Sequence, residues 1–405
     1  MHNVRKITTN LYSVGASDRR LQLFENIHPI QGIGISYNSY LLTDEKTVLF
    51  DTVDWAVYRQ FECNLEYALA GRTLDYIFIT HMEPDHAATL GEVILRYPNV
   101  KILASAKAIQ MMEQFGFGHV TAGRTEAVKD GESRSFGQHE ITFLSAPMVH
   151  WPEVMMAFDK TSGALFTSDA FGSFKSLDGH LFADEVDYDR DWIDESRRYY
   201  TNIVGKYGAQ VQAVFKKLAP FLDNLTFICP IHGLIWRENL DYIMEKYQKW
   251  TTYQPEQAGV LIVYGSMYGN TESVADALAS ELKELGVDKV QVRDVSNTHV
   301  SWLIADSFKY SHIVFACATY NLGIYPPMHN YLEDMKALTV RNRHCTVIYN
   351  GTWAPKAGDL ITSFLENDLI DMTVTEEKLH IVSAPTEENY QEMKNIAKQI
   401  ANSVE

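Results

Sequence analysis

Seven side chains of the kinds that iron favours fall in one half of the chain: His81, Glu83, Asp85, His86, His150, Asp169 and His232. Four of them crowd into the hexapeptide His81-Met82-Glu83-Pro84-Asp85-His86, directly after an apolar run over residues 74–80 that reads as a buried strand. His150 follows Glu140-Ile141-Thr142-Phe143-Leu144, Asp169 follows Ala164-Leu165-Phe166-Thr167, and His232 follows Leu225-Thr226-Phe227-Ile228-Cys229. Each candidate ligand therefore stands just past an expected strand, and strand ends on one rim can converge. Taken singly, a His or Asp after a strand is an ordinary cap or core residue. As a set, three carboxylates and four imidazoles form a hard, anionic donor group that suits a pair of iron ions cycling between ferrous and ferric states.

A second constellation lies in the other half. An apolar strand over residues 260–264 runs into Gly265-Ser266-Met267-Tyr268-Gly269-Asn270-Thr271-Glu272-Ser273, and a helical pattern follows from Val274 to Leu285. Backbone N–H groups at such a turn and helix start, with the hydroxyls of Ser266 and Thr271 and the amide of Asn270, can hold a phosphate without any lysine. The loop has neither a Walker lysine nor Gly-x-Gly-x-x-Gly, so ATP and NAD fit it less well than flavin mononucleotide, FMN. Two further strand ends carry the loops Ala318-Thr319-Tyr320-Asn321-Leu322-Gly323 and Asn350-Gly351-Thr352-Trp353-Ala354-Pro355. One such loop is common turn chemistry, but three in register point to a flavin over the carboxyl edge of a parallel sheet.

The elements that must position these groups divide the chain in two. Strands near 260–264, 289–293, 312–317, 344–349 and 379–384 alternate with amphipathic helices, which predicts a doubly wound parallel sheet of five strands over residues 257–405. Residues 1–250 show two halves of similar character, each with strands giving way to helices. A predicted helix from Tyr242 to Lys249 and the polar stretch 250–256 mark the boundary. Tyr40-Leu41-Leu42 and Val48-Leu49-Phe50 lead to Asp51 and Asp54, which either support a ligating histidine from behind or simply serve the turn.

At 405 residues and 46% apolar composition the chain has ample material for two or three cored domains. A formal charge of −17 argues against nucleic acid or an anionic membrane as partner. No apolar stretch approaches the roughly 18 residues of a membrane helix, and no apolar signal segment follows Met1-His2-Asn3-Val4-Arg5-Lys6, so a cytoplasmic, soluble protein is expected. The four cysteines, Cys63, Cys229, Cys317 and Cys345, are widely spaced with no Cys-x-x-Cys. They read as buried thiols in a reducing compartment, which leaves no rubredoxin or cysteine-ligated cluster in the chain, so electrons must enter through another group or a separate protein.

The hexapeptide resembles the zinc signature of the metallo-β-lactamase superfamily, His-x-His-x-Asp-His, with Glu83 in place of the second histidine. That replacement is characteristic of the flavodiiron proteins, which this chain resembles over nearly its whole length, and the loop at Ser266–Thr271 resembles that of flavodoxins. The resemblance implies a fold of α/β and α+β class: an N-terminal metallo-β-lactamase-like αββα sandwich and a C-terminal flavodoxin-like doubly wound sheet. It implies that His81, Glu83 and His150 bind one iron, Asp85, His86 and His232 the other, with Asp169 bridging, although in some relatives the residue matching His86 is displaced from the metal. FMN would be held by Ser266, Met267, Tyr268, Gly269, Asn270 and Thr271, by Thr319, Tyr320, Asn321 and Gly323, and by Asn350, Gly351, Thr352 and Trp353. Trp353 would reach from the flavin loop toward the di-iron pocket. His28, in Asn26-Ile27-His28-Pro29, is a candidate for lining the substrate pocket. Tyr199 and Tyr200, on an expected helix, are candidates to offer a phenol to a bound oxygen species, with Tyr200 assigned to the site.

The electron count then suggests the reaction. A ferrous pair holds two electrons and a fully reduced flavin two more, which meets the four that take dioxygen to two waters; coupling two nitric oxide molecules to nitrous oxide needs only two. The resemblance implies both activities, in a ratio that differs between members. It also implies a head-to-tail homodimer, alone or paired into a tetramer, that sets the flavin of one subunit against the iron pair of the other. The electron donor would be a separate rubredoxin, a reduced deazaflavin coenzyme or a flavoreductase. The alternatives are a di-zinc metallo-hydrolase carrying an appended flavodoxin-like domain, against which Glu83 argues, and a redox sensor whose metal domain does not turn over.

Overall fold

Apolar strands buried on both faces build the first unit of the computed structural model, which describes residues 1–404. All four residues of Thr47–Phe50 and all three of Ala164–Phe166 are buried, the pattern of strands covered on either side. One sheet of seven strands runs in the order Arg5–Lys6, Leu11–Ser13, Tyr40–Thr43, Thr47–Phe50, Tyr76–Phe78, Lys101–Ala104, Thr125–Ala127. A second of five runs Ser133–Ser135, Glu140–Ser145, Met155–Asp159, Ala164–Phe166, Phe227–Cys229. The sheets face each other through aromatic rings: Phe50 stacks on Phe166 with centroids 3.8 Å apart, and Phe78 meets Phe143 at 4.9 Å. Helices such as Tyr58–Leu69 bury one stripe (Phe61, Leu65, Leu69) and leave the other wet. This is the αββα sandwich.

The strand directions decide where chemistry can sit. Tyr76–Phe78 runs parallel to Thr47–Phe50 and Lys101–Ala104, and Ala164–Phe166 runs parallel to Phe227–Cys229. The backbone N–H of Met155 donates to the carbonyl of Thr80 at 3.0 Å, joining the two sheets at the rim where these strands end. Strands close at Phe78, Phe166 and Cys229, and His81, Asp169 and His232 each follow within one short turn.

Contacts divide the chain into one unit from Met1 to Tyr247 and another beginning at Gln248, a division that falls inside the helix Leu240–Thr251. The second unit is a parallel sheet in the order Val290–Asp294, Gln257–Gly265, Tyr310–Tyr320, Arg341–Asn350, Ile370–Val374. Its outer position differs from the sequence reading. Ile370–Val374 pairs with the start of Arg341–Asn350, and the expected strand near 379–384 is the short Leu379–Ile381, which pairs with its end from Ile348 to Asn350. Helices Asn270–Glu284 and Glu387–Val404 cover one face, packing Val274, Leu278, Ile396 and Ile400 on Val260, Ile262 and Val314. Among the described residues no helix is long and apolar enough to cross a membrane, and all four cysteines are free thiols.

Candidate functional site

The strand-end residues meet in two groups on the rim of the sandwich. In the first, Oε2 of Glu83 lies 3.1 Å from Nε2 of His81 and 3.0 Å from Nε2 of His150, while Oδ2 of Asp169 lies 3.4 and 3.7 Å from the same two nitrogens. In the second, Oδ2 of Asp85 is 3.1 Å from Nε2 of His232 and 3.3 Å from Nε2 of His86, and those nitrogens are 2.9 Å apart. The other oxygen of Asp169, Oδ1, faces His232 at 3.7 Å. One carboxylate thus addresses both groups, the geometry a shared ligand needs. The donor atoms within each group all lie within 4.8 Å of one another.

The surroundings of these atoms fit metal ions. His81, His86 and His232 are wholly buried and Asp169 nearly so; Oδ1 of Asp85 has no hydrogen-bond partner among the described residues, and its Oδ2 faces only the two imidazole nitrogens. Carboxylates buried in this way are costly unless positive charge compensates them. Two imidazole nitrogens converging on one point tell the same story. Burial alone would lower the pKa of His81 and raise those of Glu83 and Asp85. The mutual attraction of acids and imidazoles outweighs it, holding His81 well above its ordinary value, Glu83 at about 2 and Asp85 well below the carboxylate range. The cluster is an anionic hole that attracts positive charge.

Several neighbours were not visible in the sequence. Glu153 accepts from Nδ1 of His81 at 2.7 Å and from the backbone N–H of Met82 at 2.9 Å. It fills the supporting role considered for Asp51 and Asp54; Asp51 instead accepts from the N–H and hydroxyl of Thr80, and Asp54 caps the turn at Ala56. The phenol at the cluster is that of Tyr199, whose hydroxyl donates to Oδ1 of Asp169 at 2.7 Å. Tyr200, the other of the two sequence candidates, meets the ring of Tyr247 at 5.0 Å. The helix Ile193–Tyr199 gives way there to a wider turn over Tyr200–Val204. The hairpin of Leu23–Phe24 and His28–Pro29 sets Phe24 edge-on to His232 at 5.5 Å. His28 lies 3.6 Å from Oε2 of Glu25 and packs on Phe174. Glu25 is the hairpin's acid beside the cluster: burial, then the charge of Glu83, push its pKa up to about 9.

In the second unit the three loops enclose a cavity of about 420 Å³. Ser266, Met267, Tyr268, Asn270 and Thr271 line it from the first loop, Thr319, Tyr320 and Asn321 from the second, and Asn350, Gly351, Thr352 and Trp353 from the third. Gly269 and Gly323 shape the loops without lining the cavity. Gly269 sits at φ +93° and starts the helix Asn270–Glu284, and Gly323 pairs back onto Tyr320. Ala318, Leu322 and Ser383 complete the wall. Ser383 ties in the third loop, since its hydroxyl meets that of Thr352 at 2.5 Å and its carbonyl accepts from Asn350 at 2.9 Å. The lining holds no charged side chain, and a fifteen-residue helix begins at its edge. Tyr268 and Trp353, 94% and 73% exposed, flank the opening. A phosphate on the helix start with an aromatic ring between these side chains fits that cradle.

A sandwich presenting paired groups of hard ligands, joined to a doubly wound sheet with a neutral cavity over its carboxyl edge, defines a two-domain class of metal-binding flavoproteins. Residues 35–233 match the family described as ODP family β-lactamase, and residues 262–395 match the flavodoxin family. The anaerobic nitric oxide reductase flavorubredoxin of Aeromonas hydrophila subsp. hydrophila is 32% identical over 372 residues, 91% of this chain and 74% of that protein. That of Salmonella typhi is 31% identical, covering 91% and 76%. Among solved structures, the rubredoxin oxygen:oxidoreductase of Desulfovibrio gigas superposes with a TM-score of 0.90 at 27% identity, over 99% of this chain and 98% of that one. The flavodiiron protein of Giardia intestinalis gives 0.90 at 22% identity, over 99% and 96%, a likeness of fold. The chain belongs to the flavodiiron oxidoreductases.

Proposed function

We propose that the protein reduces nitric oxide to nitrous oxide and dioxygen to water at a pair of iron ions fed with electrons through FMN. The observation that carries this reading is Asp169, one carboxylate whose two oxygens face separate groups of imidazoles and acids. His81, Glu83 and His150 hold one ion, Asp85, His86 and His232 the other, and Asp169 both. When bound, the iron pair and the flavin supply two electrons each: four with four protons take dioxygen to two waters, and two with two protons take two nitric oxide molecules to nitrous oxide and water. The protein's own part is positional. Tyr199 donates to Oδ1 of Asp169 and so fixes the orientation of the shared carboxylate. Phe24 and Phe174, packed together at 5.7 Å, give the pocket an apolar wall beside His232 that suits small uncharged gases. Ser266, Thr271 and the helix start hold the flavin phosphate, and Thr319–Asn321 with Asn350–Trp353 hold its ring.

Electrons come from a separate donor, a rubredoxin, a reduced deazaflavin coenzyme or a flavoreductase, and the working form is a cytoplasmic head-to-tail homodimer in which the flavin of one subunit serves the irons of the other. The test is anaerobic purification with metal and flavin assay, followed by mixing the reduced protein with each gas. Two irons and one FMN per chain with sustained consumption of nitric oxide or dioxygen are expected. Zinc in place of iron with hydrolysis of an ester or amide would overturn the reading in favour of a hydrolase. Interface variants that yield monomers should lose turnover while both cofactors stay bound; full activity in monomers would remove the dimer from the proposal.

A further inference from the structure

We infer that Glu153 makes the two metal positions unequal, so that iron held by His81, Glu83, His150 and Asp169 is bound more tightly than iron held by Asp85, His86 and His232. This rests on the di-iron reading above and adds a positioning residue to it. The side chains of Glu153 and His81 are both wholly buried, and Oε1 of Glu153 lies 2.7 Å from Nδ1 of His81. The same oxygen accepts the N–H of Met82 at 2.9 Å, and the hydroxyl of Ser105 donates to the Glu153 carbonyl at 2.8 Å, so backbone and side chain are both fixed. Oε2 has no hydrogen-bond partner among the described residues. The carboxylate's charge is therefore spent on His81: it holds a proton on Nδ1 and leaves Nε2, which faces Glu83 and Asp169, as the nitrogen that would bind a metal. Negative charge behind a ligating imidazole strengthens it as a donor and fixes its orientation.

The second group has no equivalent. Nδ1 of His232 meets a neutral acceptor, the carbonyl of Ser36 at 2.7 Å, and Nδ1 of His86 has no partner among the described residues. Asp169 faces both groups and the buried Asp51 lends charge to His86 and less strongly to His81, so what sets the first position apart is that a carboxylate is hydrogen-bonded directly behind one of its imidazoles. A carboxylate behind a metal-bound histidine typically changes metal affinity by about 10- to 100-fold.

The experiment uses the full chain loaded anaerobically with ferrous iron and challenged with a coloured ferrous chelator in excess. In the unaltered protein two release phases are expected, the slower at least about tenfold slower. Glu153→Gln should speed the slow phase by about tenfold or more and leave the fast phase and the flavin content unchanged. Glu153→Asp, which keeps the charge, should fall between them. A single release phase in the unaltered protein, which needs no variant to fold, would overturn the inference, as would a variant that leaves the slow phase unmoved or speeds both phases alike. An unaltered protein without two chelatable irons would instead sink the di-iron reading and this inference with it.

Discussion

Acid should loosen the second unit through one histidine. His312 is wholly buried near the start of the central strand Tyr310–Tyr320, with Nδ1 2.8 Å from the hydroxyl of Ser403 and Nε2 2.9 Å from that of Thr346. Both partners are neutral, and the ring stacked 6.1 Å away is another imidazole, His344. Burial, then repulsion from His344, push the pKa of His312 down to about 3. The unfolded chain takes up that proton near pH 6.5 while the folded protein refuses it, so stability rises with pH between those values. The contribution is whole above about pH 6.5 and is lost as pH falls toward about 3. Linkage puts the loss at about 2 kcal/mol by pH 5 and about 3 kcal/mol by pH 4. His312→Gln keeps donor and acceptor atoms but cannot titrate. Urea unfolding of the FMN-loaded chain, followed by the rise in flavin fluorescence at about pH 7, 5 and 4, isolates the effect because every other titrating group is common to both proteins. The native protein should lose about 3 kcal/mol more than the variant between the extremes; equal losses would refute the reasoning.

A β-carbon at position 351 would lie 2.9 Å from Cβ and 3.0 Å from Cα of Pro355, so Gly351→Ala must displace the third loop and should weaken FMN binding at least about tenfold in a fluorescence titration. Tyr199→Phe removes a hydrogen bond to a buried carboxylate and should cost the metal-free protein about 1.5–3 kcal/mol in urea unfolding. Phe166→Ala empties the centre of the sandwich, where Phe50 and Tyr40 pack on that ring, and should destabilise the first unit by about 3–5 kcal/mol. Removing metal with a chelator should lower the melting temperature of the first unit, leave release of the flavin unmoved, and be reversed by ferrous iron, since a ligand that binds only the folded state stabilises it by mass action.

By itself the sequence determined the class of fold, the two-part organisation and the donors available for chemistry. The donors were legible because a metal site built on strand ends draws its ligands from local positions: His81, Asp169 and His232 each follow a short, fully apolar run. The flavin loops were legible for the same reason, as turns at the ends of parallel strands. Tertiary structure decided the rest. That Asp169 faces both groups was given in advance only by the resemblance, because it depends on how two sheets pack, which no local pattern encodes. Glu153 reaches His81 across 72 residues of chain, and Ser383 closes the cavity from a strand-end loop that bears no phosphate or glycine motif. That Tyr199 is the one that donates to Asp169 depends on how its helix packs at the rim, which two adjacent tyrosines in a sequence cannot reveal. Ile370–Val374 escaped notice because it is half-exposed at a sheet edge, with no buried residue to print an alternation on its sequence. Local chemistry writes itself into neighbouring residues; long-range packing, which brings distant side chains within ångströms, leaves its record only in the folded chain.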